Sequence, residues 1–246
     1  MVNATQVEIA AGRRILFAEG CDSQSAGHVT VRAADIDNAM WTTVFEYFDE
    51  TLPDGVVKIG YDFTLLEGDL GGRMLAPVLD FHASIYRQRP DVNAIVHHHG
   101  HYTAVVASTG GTIGMFNLLS YLFYDDQAVI VEEEASDVTD AERIARTLGR
   151  KSVLLMKNHG CIVVGATLGE AIVKSFLLEK AARYHYEAKL IGGTELTDER
   201  HLRNYQRDLN RLVVGETWAA QLRRLRLASP EVFAEDAALQ PAGAAG

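Results

Sequence analysis

Three histidines carry the chemistry this chain could do. In Ala94-Ile-Val-His-His-His-Gly100 the residues read as a strand, and alternate side chains of a strand share a face about 6.5–7 Å apart. His97 and His99 therefore point one way and His98 the other. His159 stands in Asn158-His-Gly160, where the apolar run Ser152–Met156 meets a polar corner before the apolar run Cys161–Gly165. A strand pair with its histidine at the bend would supply a third imidazole. Three neutral imidazoles suit Zn²⁺, Fe²⁺ or Mn²⁺ and leave coordination positions open, which is how a catalytic rather than a structural site is built. A run of histidines is also what a solvated loop would show, and spacing alone leaves both readings open. A second polar set lies in Ser25-Ala-Gly-His-Val-Thr-Val-Arg32, a glycine turn feeding an alternating strand. There His28, Thr30 and Arg32 share a face that could bind a carboxylate or phosphate, with Arg32 as the fork. An exposed strand face explains the same pattern. The segment Met115–Asp126 reads as a variable loop carrying Tyr121 and Tyr124.

The elements that must hold these groups alternate between helical and strand periods. Val7–Glu19 reads as an amphipathic helix stopped by Gly20, and 41–69 as short strands around the Pro53-Asp54-Gly55 turn. Pro77–Gln88 reads as a helix ended by Arg89-Pro90, and His101–Ser108 as another after the histidine strand. Ala128–Val131 reads as a short strand and Thr139–Leu148 as a helix, with Asp137 as one candidate N-cap and Gly149 as C-cap. Thr167 caps the longest helix, on which Leu168, Ile172, Leu178, Ala182 and Leu190 recur at helical spacing up to Gly192-Gly193. The arginine-dense stretch Asp198–Ala228 forms one or two helices broken at Gly215, with a solvated face or a subunit contact as its role.

At 246 residues and 27.0 kDa the chain suits one large domain over 1–229, with 230–246 as a flexible tail ending in Pro, Ala and Gly. A net charge of -10 argues against nucleic-acid binding. No apolar run approaches the roughly 20 residues of a membrane span. Without a basic-then-apolar leader, the default expectation is cytoplasmic. Cys21 and Cys161 are too few for a disulfide framework, and Cys161 reads as a buried thiol.

Taken together, Gly27-His-Val-Thr-Val-Arg32, then His82-Ala-Ser-Ile-Tyr-Arg-Gln-Arg-Pro-Asp-Val-Asn-Ala-Ile-Val-His-His-His99, then Asn158-His-Gly160 resemble the class II aldolase/adducin family over roughly Val7 to Leu190. The resemblance implies a three-layer α/β/α fold with a central, mostly antiparallel sheet, assembled as a homotetramer with sites at subunit interfaces. It implies one divalent ion per subunit on His97, His99 and His159, with Zn²⁺ first and Mn²⁺ or Fe²⁺ as alternatives. The family's sugar-phosphate aldolases carry an acid/base glutamate within Pro-Ser-Ser-Glu. Here the chain reads Ala76-Pro-Val-Leu-Asp80, so both serines are missing, Val78 takes the glutamate's place, and Asp80 fills it only if the loop is shortened. Gly27-His28 likewise replaces the aldolases' Gly-Asn and looks more like the branch of metal-dependent decarboxylases and adducin-like members. The expected activity is a metal-dependent carbon–carbon lyase on a small unphosphorylated hydroxy, oxo or hydroxyaromatic acid. Decarboxylation is favoured over aldol cleavage because it needs no base to start it. His28, Thr30 and Arg32 would hold the acid, and Tyr121 or Tyr124 would donate a late proton. The rivals are an Fe²⁺ oxygenase on the same fold, a sugar-phosphate aldolase or epimerase, and a non-catalytic adducin-like interaction protein, which would be expected to lack the histidines.

Overall fold

The structure is a computed structural model and describes residues 2–21, 23–131 and 140–234. Eight strands form one sheet: β1 (His28–Arg32), β2 (Ala39–Thr43), β3 (Val56–Gly60), β4 (Leu65–Glu67), β5 (Ala94–His98), β6 (Gln127–Ile130), β7 (Val153–Met156) and β8 (Gly160–Gly165). Their order is β4-β3-β2-β1-β5-β8-β7-β6. Every neighbouring pair is antiparallel except β6 and β7. The histidine strand β5 lies in the middle, between β1 and β8.

Alternation along the strands sorts the core into two layers. On one face Met40, Ile59, Ile95, Leu154 and Ile162 pack under α2 (Asp80–Gln88) and α4 (Asp140–Leu148). On the other, Val29, Val96, Cys161 and Val163 pack under α1 (Ala4–Ala18), α3 (His101–Ser108) and the long α5 (Leu168–Leu190). The helices α6 (Glu199–Leu212) and α7 (Val214–Ala228) follow, with α7 against α5. This is the expected three-layer α/β/α architecture. No helix among the described residues is long and apolar enough to cross a membrane.

Several boundaries differ for local reasons. Helix α1 starts earlier than its apolar period suggests because Asn3 and Gln6 form a reciprocal capping box. Helix α2 starts at Asp80 rather than Pro77, because Val78 has a left-handed φ of 59° that no helix accepts. The break in the arginine-rich stretch falls at Val213, and Gly215 lies inside α7. The packed chain continues past the expected boundary at 229, since Val232 and Phe233 are buried. The expected cap Asp137, the first turn at Thr139 and the tail from 235 lie outside the described residues.

Candidate metal centre and its cavity

The pairing register brings the site together. β5 places His97 opposite His28 of β1 and opposite Ile162 of β8, so the two imidazoles rise from the same face. His159 sits in the β7–β8 turn, which closes through a hydrogen bond from its backbone N–H to the Met156 carbonyl (3.0 Å). Asn158 takes the left-handed conformation the turn requires, φ 57°, which Asn tolerates through its short polar side chain. Gly160 is obligatory for a different reason: a Cβ there would lie 2.5 Å from the His98 carbonyl oxygen and 2.6 Å from His99 Cδ2. Without a side chain, the turn can bring His159 against His99.

The three rings then converge, with centroid separations of 4.6 Å for His97–His99, 5.2 Å for His97–His159 and 4.9 Å for His99–His159. Their ligand atoms all lie within 4.8 Å of one another. The donor set fits a divalent cation. His97 Nδ1 donates to the Cys161 carbonyl at 2.8 Å, which commits that nitrogen and leaves Nε2 as the ligand. The Nε2 of His99 is buried and has no partner. Burial first, and neighbouring imidazoles second, push His97 well below the ordinary histidine range and His99 down to about 4. Both are neutral at pH 7, as metal binding demands.

His98 faces the opposite layer. Its Nδ1 accepts from the Gly100 backbone N–H (3.1 Å), so the proton is on Nε2, which lies 3.1 Å from Cys161 Sγ. Beneath it the buried carboxylate of Glu179, on α5, accepts from Tyr102 N (2.8 Å), Thr103 N (2.9 Å) and Thr103 Oγ1 (2.6 Å). That ties the first turn of α3, immediately after the histidine run, to the central helix, and a carboxylate complements the positive end of a helix dipole.

The histidines form one wall of a cavity of about 450 Å³. Most of its lining is apolar, including Phe45, Pro77, Val78, Phe81, Ile130 and Met156. Arg143 and Lys157 add positive charge. The Arg143 guanidinium donates to Asp140 Oδ1 (3.1 Å) and to the Val131 carbonyl (3.3 Å), which uses two of its five donors. His28 also lines this cavity; its two ring nitrogens are buried without partners, and desolvation, then Arg13, lower it to about 3.

The other residues read from sequence as site residues lie elsewhere. Thr30 is fully buried behind His28, 2.8 Å from His82 Nδ1 and 2.9 Å from the Tyr86 hydroxyl. Arg32 is not an anion fork here. Its guanidinium donates to the carbonyls of Val92, Tyr86 and Arg89 at 2.9–3.0 Å and to the Tyr61 hydroxyl at 3.2 Å. Asp80 opens α2, where it accepts from Phe81 N (3.0 Å) and faces a surface depression beside Arg87 and Ala141. Tyr121 and Tyr124 pack on α6: the Tyr121 ring lies 5.9 Å from Tyr205, and Arg203 sits 5.2 Å from the centre of the Tyr124 ring. Their segment is anchored rather than mobile, because Leu122 and Phe123 between them are buried in the core. Within one chain, then, His28 joins the three candidate metal ligands, while Arg32, Asp80, Tyr121 and Tyr124 do not. The sequence reading missed Phe45, Arg143 and Lys157. Lys157 was visible two residues before His159; Arg143 had no signal beyond a charged helix face.

The family described as Class II Aldolase and Adducin N-terminal domain matches residues 7–186. Among curated proteins, the chain is 27% identical to 5-deoxy-D-ribulose 1-phosphate aldolase of Bacillus thuringiensis over 80% of its own length and 91% of that protein's. It is 26% identical to Decarboxylase NovR of Streptomyces niveus over 69% of its length and 64% of that protein's. Among solved structures, an L-fuculose 1-phosphate aldolase from Glaciozyma antarctica superposes with a TM-score of 0.84 at 24% identity, covering 93% of this chain and 90% of that one. At that identity the superposition establishes the fold.

Proposed function

Because the chain belongs to the class II aldolase and adducin family, we propose that it is a divalent-metal-dependent carbon–carbon lyase that decarboxylates a small unphosphorylated hydroxyaromatic or oxo acid. The observation that carries this reading is the cavity wall. The histidines face Phe45, Val78 and Phe81, and Asp140, the one carboxylate among the described lining residues, is paired to Arg143. Among the described lining residues no unpaired carboxylate is placed to take a proton from a substrate hydroxyl, as aldol cleavage would require. When bound to His97, His99 and His159, the cation supplies Lewis-acid polarisation of a substrate oxygen.

The chain's own residues do the rest. Arg143 and Lys157 attract and orient an anion. The apolar wall excludes water and favours neutral carbon dioxide over the carboxylate as the bond between the carboxyl carbon and its neighbour breaks. The electron pair stays on the substrate carbon, delocalised into its carbonyl or ring, and a proton replaces the carboxyl group. The similarity to a decarboxylase supports this reading, and the similarity to a sugar-phosphate aldolase supports the metal-lyase class it falls within.

Two measurements test it. Metal-loaded protein is expected to release carbon dioxide from a member of a panel of hydroxyaromatic and oxo acids, with His99→Ala losing most bound Zn²⁺ and His98→Ala keeping it. Cleavage of a ketose 1-phosphate with no turnover of any acid would overturn the substrate class. Oxygen consumption that depends on Fe²⁺ would replace the lyase by an oxygenase. We also propose a homotetramer, supported by the family and by exposed apolar side chains such as Leu190, Ile191 and Leu212 on the late helices. A solution mass near that of one chain, 27.0 kDa, would rule this out.

A further inference from the structure

We propose that Tyr86, Thr30 and His82 position His28: a line of hydrogen bonds runs from the Tyr86 hydroxyl through Thr30 and His82 to the His28 imidazole and fixes which of its nitrogens offers a proton to the cavity. All four side chains are buried, with relative exposures of 1% for Tyr86, 0% for Thr30, 0% for His82 and 2% for His28. They run between β1 and α2 inside a layer that is largely aliphatic and aromatic. Polar groups are retained in such a place only if they are paired, because each unpaired one loses its hydration without replacement.

The first two links are present. Thr30 Oγ1 touches His82 Nδ1 at 2.8 Å and the Tyr86 hydroxyl at 2.9 Å. A hydroxyl has one proton to give. Tyrosine is much the stronger acid of the two alcohols, so Tyr86 donates to Thr30, and the Thr30 proton goes to His82 Nδ1. That sets His82 as the tautomer with its proton on Nε2. This N–H is buried and has no acceptor, and a neighbouring ring with unpartnered nitrogens, that of His28, lies 5.6 Å away between centroids at 62°. Both nitrogens of His28 are buried without partners. Rotation of the two rings toward each other would pair a donor in need of an acceptor with an acceptor in need of a donor. His28 then has its lone pair toward His82 and its N–H on the other ring nitrogen, beside His97 and the cavity. The chain thus presents a neutral donor suited to an anionic or carbonyl oxygen. What that donor does for a substrate rests on the reading proposed above; the hydrogen-bond line itself does not.

Zinc-loaded protein labelled with ¹⁵N-histidine distinguishes the two. Long-range proton–nitrogen spectra report the tautomer of each ring, with His28 and His82 assigned from His28→Gln and His82→Gln. In the native chain both rings are expected as single tautomers, with the His82 proton on Nε2. Thr30→Val keeps the shape but removes the relay; it should leave His28 and His82 exchanging between tautomers, and Thr30→Ser should restore them. Tyr86→Phe, which removes the first donor, provides a second variant. A parallel readout is the affinity for 4-hydroxybenzoate, expected to fall about tenfold in Thr30→Val at unchanged zinc content and to recover in Thr30→Ser, the size of one hydrogen bond. A native His82 protonated on Nδ1, or His28 spectra identical in the native protein and in both variants, would overturn the line. Spectra that change as expected in a protein that binds no acid would support it while removing the proposed substrate class.

Discussion

An arginine alternating with apolar residues on a strand reads as an anion fork, yet the Arg32 guanidinium is spent on three backbone carbonyls and a tyrosine hydroxyl, with the Tyr86 ring 4.7 Å from its carbon. It ties the end of β1 to the Arg89–Val92 turn. Those carbonyls have lost their water, so removing the donors leaves them unpaired. Lysine offers three protons from one point and cannot reproduce the fork. Arg32→Lys is therefore expected to cost about 1–3 kcal/mol, a fall in Tm of roughly 2–12 °C for a domain of this size, while KM for the substrate acid stays within about twofold. An unchanged Tm with a large rise in KM would return Arg32 to substrate binding. At this scale the sequence was legible where a period decides: the alternation of His97, His98 and His99 follows from strand geometry alone. It was not legible where a partner lies far along the chain. Nothing near Thr30 announces that α2 will bring His82 and Tyr86 to its hydroxyl some fifty residues later, and nothing near Arg32 announces its carbonyls.

The β7–β8 turn is the element on which the metal centre depends. Asn158-His-Gly160 could be read as a polar corner between two strands; the need for glycine appears only when β8 lies against β5. A methyl group at 160 meets backbone on one side and the His99 ring on the other, and backbone does not yield as a flexible side-chain end does. Gly160→Ala is expected to push the turn away from His99 and weaken Zn²⁺ binding by about 10–100-fold, the range seen when the groups that orient metal ligands are disturbed. Competition against a chelator of known affinity measures it, and an unchanged affinity would show that the turn adjusts freely. The start of α2 gives the opposite case. Pro77 is an ordinary helix opener, but the structure delays the helix because Val78 is held left-handed at the cavity wall. A β-branched residue pays for that conformation, so local propensity pointed the wrong way. Surroundings rather than sequence neighbours set it.

Over the whole molecule, the net charge of -10 argues against nucleic-acid partners but says nothing of the cavity, where Arg143 and Lys157 add positive charge. The layered fold was legible because its motifs fall on the central strands; the exposed apolar side chains of the late helices were not, since they carry no period of their own. The buried imidazoles have a global consequence. Desolvation holds His28 and His98 down to about 3 and His99 to about 4, whereas in the unfolded chain each takes up a proton near 6.5. Between those values the unfolded state binds more protons than the folded one, so stability falls as pH falls, by up to about 1.4 kcal/mol per pH unit for each group. Asp35, Asp91 and Asp125, whose carboxylates are depressed by Lys58, Arg89 and Lys151 respectively, add their loss only below the ordinary carboxylate range. The window from about 6.5 to 4.5 is therefore governed by the histidines, opposed only by Glu46 among the described carboxylates with a raised value, whose burial favours its protonated form in the folded chain. Metal-free protein is expected to lose stability steadily through it in urea titrations, and His98→Asn should reduce the slope by one proton without touching the metal set. Excess Zn²⁺, which binds the neutral triad of the folded state, should move the onset to lower pH. A flat profile from pH 7 to 4.5 would mean that these rings take up protons in the folded chain as readily as in the unfolded one, and that the centre is not the dry, neutral site its packing describes.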